Sequence, residues 1–65
     1  MLKYKIDVLS ALKAAGYTTS RLRKEKVLSE STIQKIRKGE VVGIIAIERI
    51  CELLGQQPGD ILKND

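Results

Sequence analysis

The sequence predicts a single all-α domain, over residues 1–65, that consists of five short helices. Apolar residues recur at helical spacing along most of the chain, and from Ile44 to Leu54 they follow the i, i+3, i+4, i+7 pattern of one buried face. Gly16, Gly39 and Gly55 stand where three of these segments end, as glycine commonly does after a helix. No segment shows a convincing strand-like alternation of apolar and polar residues.

The connections between the expected helices are short. The helices are expected over Lys5–Ala15, Thr18–Lys26, Ser29–Lys38, Ile44–Leu54 and Gln56–Leu62. Thr18 and Ser29 are suited to cap the second and third helices, because a hydroxyl can accept a hydrogen bond from a first-turn amide. Only Val27–Ser29 joins those two helices, which indicates a helix-turn-helix over about residues 18–38. The last residues, Lys63–Asp65, are expected to be frayed.

The predicted core is aliphatic, because the chain contains no Phe or Trp. It comprises the residues on the buried side of each helical period, namely Ile6, Leu9, Leu12, Leu22, Leu28, Ile33, Ile36, Ile47, Ile50, Cys51, Leu54 and Ile61. A further run, Val41–Ile45, is more apolar than a surface loop needs. Two interpretations of this run are open, since it can add to a small core or form a surface for a dimer or a partner protein.

Positive charge is concentrated in the centre of the chain. Residues 21–39 contain seven basic and two acidic residues, a net charge of +5, whereas residues 1–20 carry +2 and residues 40–65 carry −3. This asymmetry favours a polyanionic partner such as double-stranded DNA. The alternative is a basic face that contacts only solvent.

The helix expected at Ser29–Lys38 combines a narrow apolar stripe with a polar outer surface. Ile33 and Ile36, three residues apart, are its only large apolar residues. Glu30 lies in the first turn and the basic residues lie toward the last, so the charges complement the helix dipole. Such a surface can recognise a partner through hydrogen bonds, although an ordinary amphipathic surface helix has the same pattern.

The residue types that enzymes and metal sites require are scarce. The chain has no His, a single cysteine (Cys51) and scattered carboxylates, which gives neither metal-ligand spacing nor a nucleophile with a base. We therefore expect no enzymatic activity, no cofactor and no small-molecule ligand. No apolar run approaches the roughly 20 residues of a membrane span, and the first residues do not resemble a signal peptide. We expect a cytoplasmic protein, which the single cysteine fits.

Short motifs follow one another over nearly all of residues 5–62. They are Gly16-Tyr-Thr18, Leu22-Arg-Lys-Glu25, Leu28-Ser29, Ser31-Thr-Ile33, Ile36-Arg-Lys-Gly39, Ile47-Glu-Arg-Ile-Cys51, Leu53-Leu-Gly55 and Gln57-Pro-Gly-Asp-Ile61. In this order and spacing they resemble the Cro/C1-type (XRE) helix-turn-helix family of DNA-binding regulators, particularly its short single-domain members. The resemblance implies a compact five-helix, lambda-repressor-like fold and a repressor-like transcriptional regulator. It also implies that the third helix, Ser29–Lys38, binds in the major groove of double-stranded DNA.

The same resemblance implies which side chains contact DNA. Base edges are expected to be contacted from the exposed start and middle of the third helix, by Glu30, Ser31, Gln34 and Lys35. Phosphate contacts are expected from Thr18, Thr19, Arg23, Thr32 and Lys38. For two of these residues an alternative role without DNA contact is open. Glu30 can interact with the helix dipole alone, and Thr32 can simply stabilise the first turn of the helix.

The chain departs from the family pattern at three places. Val27 stands where the turn usually has Gly, and a β-branched residue with positive φ is strained by about 1–2 kcal/mol. Either the turn differs or the chain tolerates that strain. Thr19 stands in place of a phosphate-binding Gln and has a shorter reach. Gly43–Ala46 replaces a polar start of the fourth helix, which removes the expectation of a side-chain phosphate contact there.

Two further hypotheses concern partners. Family precedent places dimer contacts beyond the fourth helix, so we expect a weak homodimer that pairs on the side of Leu53 and Leu62 and tightens on a palindromic site. The competing hypothesis is a protein-interaction module, in which the Val41–Ile45 run binds a larger regulator.

Overall fold

Five helices and one two-stranded sheet make up the computed structural model, which describes residues 1–65. In chain order they are β1 (Leu2–Tyr4), α1 (Val8–Ala14), α2 (Thr19–Lys24), α3 (Glu30–Arg37), α4 (Ile44–Leu54), α5 (Pro58–Ile61) and β2 (Leu62–Asn64). The prediction of a five-helix, mostly helical domain is confirmed, and each helix lies within its expected range. The small sheet is not predicted by the sequence.

Side-chain caps determine where the first three helices begin. Asp7, Thr18 and Ser29 each accept a hydrogen bond from the backbone N–H three residues later, at 3.2 Å. The caps at Thr18 and Ser29 are those that the sequence predicts. The cap at Asp7 explains why α1 begins at Val8 and not at Lys5, because Asp7 itself has extended backbone outside the helix.

The two ends of the chain pair as an antiparallel sheet, with Lys3 opposite Lys63. The Met1 amino group donates to the Asn64 side chain at 2.8 Å, and the Asp65 N–H donates to the Met1 carbonyl at 2.9 Å. The expected fraying of the last residues is therefore wrong. Strands of three residues are too short to show alternation, and pairing between opposite ends of a chain leaves no local signal in the sequence.

The core is aliphatic, as predicted, and contains at least one residue from every helix. Its buried members are Val8, Leu12, Leu22, Leu28, Ile33, Ile36, Val42, Ile47, Ile50 and Ile61. Four residues predicted for the core are only partly buried against this cluster: Ile6, Leu9, Cys51 and Leu54. The later start of α1 explains why Val8 is buried, because it lies four residues before Leu12 on the same inner face.

Tyr4 connects the terminal sheet to the loop between α3 and α4. Its hydroxyl donates to the Glu40 carbonyl at 2.8 Å and accepts from the Val42 N–H at 3.3 Å. Burial raises the pKa of Tyr4, and the hydrogen bond from Val42 opposes this effect. Because Val42 is also buried, the loop is packed onto the domain at this point.

Candidate nucleic-acid interface

The turn between α2 and α3 has its left-handed residue at Lys26 (φ 55°) and not at Val27. The Lys26 N–H donates to the Arg23 carbonyl at 3.1 Å, and the Val27 N–H donates to the Leu22 carbonyl at 3.0 Å. This pair of bonds is the Schellman arrangement that ends many helices. The strain considered for Val27 therefore does not arise there, because the left-handed conformation falls on unbranched Lys26. Val27 packs, partly buried, against the core.

Helix α3 is anchored by Ile33 and Ile36, which are both buried as the narrow apolar stripe predicts. The capping hydroxyl of Ser29 also donates to the Thr32 hydroxyl at 2.8 Å, which gives Thr32 a partner within the first turn. The side chains expected to contact bases lie on the remaining surface of the helix. Of these, Glu30, Ser31 and Lys35 are exposed and Gln34 is partly buried.

Glu30 connects α2 to the middle of α3. The Gln34 Nε2 atom donates to Glu30 Oε1 at 2.9 Å, and the Arg23 Nη2 atom donates to the same oxygen at 3.3 Å. The Arg23 Nε–H donates to Glu30 Oε2. The hydrogen bonds from Gln34 and then from Arg23 hold the pKa of Glu30 below its ordinary value, so the carboxylate is ionised at neutral pH.

Most cations of the central segment have no acidic partner. In residues 21–39 two arginines form ion pairs, Arg21 with Glu25 at 2.5 Å and Arg23 with Glu30. The other five basic side chains form none: Lys24, Lys26, Lys35, Arg37 and Lys38. The positive charge that the sequence concentrates here is therefore largely available to an external anion.

A depression of about 320 Å³ lies where α1, the start of α2 and the end of α3 meet. It is lined by Leu9, Ser10, Lys13, Thr18, Thr19 and Arg37. Two residues expected to contact phosphate, Thr18 and Thr19, thus lie beside two cations that are not among the contacts expected from the sequence, Lys13 and Arg37. Their positions in the last turns of α1 and α3 are the signal that could have identified them.

The model of one family, the Cro/C1-type HTH DNA-binding domain, matches residues 5–64 of the chain. The chain belongs to this family. It is therefore a DNA-binding domain of the kind found in transcription regulators, a class that is typically not enzymatic. Searches of curated proteins and of solved structures found no match to the chain.

The residues of the apolar run Val41–Ile45 differ in burial in this Cro/C1-type domain. Val42 is buried, whereas Ile44 is 83% exposed and Ile45 is 69% exposed at the start of α4. Part of the run therefore belongs to the core, and Ile44 and Ile45 lie on the surface. On the side considered for dimerisation, Leu53 and Leu62 are partly buried and remain accessible.

None of the helices in this Cro/C1-type domain combines the length and the apolar character that crossing a membrane requires. Nowhere do three His, Cys, Asp or Glu residues come together in an arrangement that could hold a metal ion. The thiol of Cys51 is partly buried, and burial raises its pKa.

Proposed function

We propose that the chain is a repressor that recognises a base sequence in double-stranded DNA by inserting α3 into the major groove. The supporting observation is the coincidence of two features on one segment. Helix α3 has its polar side chains on the surface, and the surrounding residues 21–39 keep five basic side chains free of ion pairs. Free cations neutralise phosphates, while polar groups on an exposed helix can reach base edges. Repression requires only that the protein occupy promoter DNA, whereas activation requires a further protein contact.

In this proposal Ser31, Gln34 and Lys35 contact base edges. Lys35 can donate to guanine N7 and O6, Gln34 can pair with adenine, and the Ser31 hydroxyl suits several bases. Glu30 belongs to the same group by position and can accept from cytosine N4. Its two oxygens, however, already accept hydrogen bonds from Arg23 and Gln34.

Phosphate contacts are proposed for the side chains that border α3. Those expected from the sequence are Thr18, Thr19, Arg23, Thr32 and Lys38. Because Thr18 and Thr19 line one depression together with Lys13 and Arg37, we add these two cations to the proposed contacts. Arg23 retains free N–H groups after its contacts with Glu30, because a guanidinium has five donors. Each neutralised phosphate should contribute about −0.9 to the slope of log K against log salt.

We also propose that the protein binds its site as a weak homodimer. One module of this size buries about 600–1,000 Å² on DNA, which limits its specificity, and two-fold pairing over half-sites about 34 Å apart doubles the contacts. Leu53 and Leu62 are the proposed contact, because they are large apolar residues near the C-terminus that are only partly buried and so remain accessible to a second copy. Sedimentation with a palindromic duplex should show two protomers per duplex. One protomer at saturation, with unaltered affinity for a single half-site, would contradict the dimer.

A second candidate function is a protein-interaction module. The exposure of Ile44 and Ile45 favours it, since neighbouring large apolar side chains on a surface often mark a protein contact. This function predicts that Ile44→Ser and Ile45→Ser leave binding to duplex DNA unchanged but abolish capture of a regulator.

A gel-shift titration at two salt concentrations separates the two functions. It should use a random duplex and a duplex enriched by selection from a random library. The DNA-binding proposal predicts tighter binding to the enriched duplex and weaker binding to both at higher salt. Equal affinity for the two duplexes would exclude base recognition, and no binding at either salt concentration would favour the interaction module.

A further inference from the structure

The hydrogen-bond network of Arg23, Glu30 and Gln34 fixes the orientation of one side-chain amide on the surface of α3. Glu30 and Gln34 are four residues apart and therefore lie on the same face of the helix. The amide nitrogen of Gln34 donates to Glu30 Oε1 at 2.9 Å. If the amide rotated by half a turn, its oxygen would face the carboxylate, and two acceptors would oppose each other. Glu30 thus selects one of the two orientations that a free glutamine can adopt.

The selected orientation leaves a specific pair of groups available on Gln34. One hydrogen of Nε2 is used by Glu30, while the second hydrogen and the carbonyl oxygen remain free. Adenine presents an acceptor at N7 and a donor at N6 in the major groove, which match one donor and one acceptor. Guanine presents two acceptors, N7 and O6, so one of them would oppose the Gln34 oxygen.

Arg23 completes the arrangement from the neighbouring helix. It donates to both oxygens of Glu30, which holds the carboxylate in place from α2. It also offsets a negative charge that would otherwise lie beside DNA phosphates. The contacts therefore run from Arg23 to Glu30 to Gln34. Of these three residues Gln34 is the one that pairs with a base, while the free N–H groups of Arg23 are proposed to contact phosphate.

We infer that Glu30 is a positioning residue that makes Gln34 selective for adenine at one position of the DNA site, without contacting a base itself. The inference rests on the proposed function of α3 in the major groove. In this inference Glu30 orients Gln34 and does not accept a hydrogen bond from cytosine N4.

The test compares base preference, position by position, for wild type and five variants. A preferred duplex is first selected from a random library with the wild-type chain, and affinities are then measured with each base pair changed in turn. Gln34→Ala should abolish a preference for adenine at one position. Glu30→Ala should reduce that same preference by roughly tenfold and should leave the other positions unaltered. In the double variant Glu30→Ala/Gln34→Ala, the base preference at that position should be the same as in Gln34→Ala alone.

Two additional variants separate positioning from general effects. Glu30→Gln keeps an oxygen that can accept from Gln34, so it should retain more of the adenine preference than Glu30→Ala. Glu48→Ala removes an exposed carboxylate from α4 and should leave the base preferences as in wild type. Circular dichroism of each variant verifies that the helices are intact.

The outcomes are distinguishable. If wild type binds duplexes with no base preference, the proposed function and this inference both fail. If wild type has a preference but Glu30→Ala abolishes selection of cytosine at a separate position, Glu30 contacts a base and only the inference fails. If Glu30→Ala weakens binding by the same factor whichever base pair of the duplex is changed, the inference is also contradicted. A uniform loss of affinity is the effect expected of a general structural role.

Discussion

The guanidinium of Arg49, on α4, donates a hydrogen bond to the backbone carbonyl of Val27 at 2.9 Å. Val27 belongs to the turn that sets the angle between α2 and α3. A side chain outside the helix-turn-helix therefore holds its turn in place. The contact satisfies a carbonyl in a connection of few residues, where the backbone has few other partners.

Loss of this contact should destabilise the fold. Arg49→Met keeps most of the apolar stem and removes the donor, so we expect the free energy of unfolding to fall by about 1 kcal/mol. Urea denaturation measures the change. Lys24→Met is a matched control, because Lys24 is exposed and forms no ion pair. Equal effects of the two substitutions would show that the Arg49 contact contributes nothing specific.

A glycine at the left-handed position of the turn should stabilise the protein. Lys26→Gly removes the steric cost of positive φ and should raise the free energy of unfolding by roughly 0.5–1 kcal/mol after the entropic cost of glycine is included. Val27→Gly should instead lower it, since Val27 packs against the core. Both free energies of unfolding are measured by chemical denaturation. If Val27→Gly were the more stable of the two variants, the left-handed residue would be Val27.

The Tyr4 hydroxyl should contribute both to stability and to its pH dependence. Tyr4→Phe removes bonds to Glu40 and Val42 and should cost about 1 kcal/mol. Because the folded pKa of Tyr4 is raised, its contribution is complete below the unfolded pKa of about 10 and declines as pH rises toward the folded pKa. The difference between wild type and Tyr4→Phe, measured by denaturation from pH 8 to pH 11, should therefore shrink above about pH 10. A constant difference would contradict this account.

Lys38 should contribute one phosphate contact that is independent of sequence. Lys38→Ala should flatten the slope of log K against log salt by about one unit on every duplex. Lys63→Ala, in the terminal sheet, removes an equal charge far along the chain from α3 and should alter the slope less. An unchanged slope for Lys38→Ala removes Lys38 from the set of phosphate contacts.

Features that depend on local periodicity could be predicted from the sequence. Ile33 and Ile36 recur at helical spacing within one helix, and Ser29 precedes that helix as a capping residue. Predicting the buried stripe and the cap therefore requires no knowledge of the tertiary fold. The family resemblance then indicated which helix is expected to contact DNA.

Features that depend on how distant segments pack could not be predicted in this way. The choice of Lys26 as the left-handed residue follows from the point at which α2 ends, a boundary that sequence patterns locate only within a few residues. The ion pair between Arg23 and Glu30 requires the relative placement of two helices. The terminal sheet requires the two ends of the chain to meet.

Methylation interference on the selected duplex tests the central claim, which is that α3 recognises bases in the major groove. Dimethyl sulfate modifies guanine N7, which faces the major groove, and adenine N3, which faces the minor groove. We predict that duplexes methylated at guanine N7 within the site are depleted from the protein-bound fraction, while those methylated at adenine N3 remain. Depletion confined to adenine N3, or no depletion at either atom, would contradict the claim.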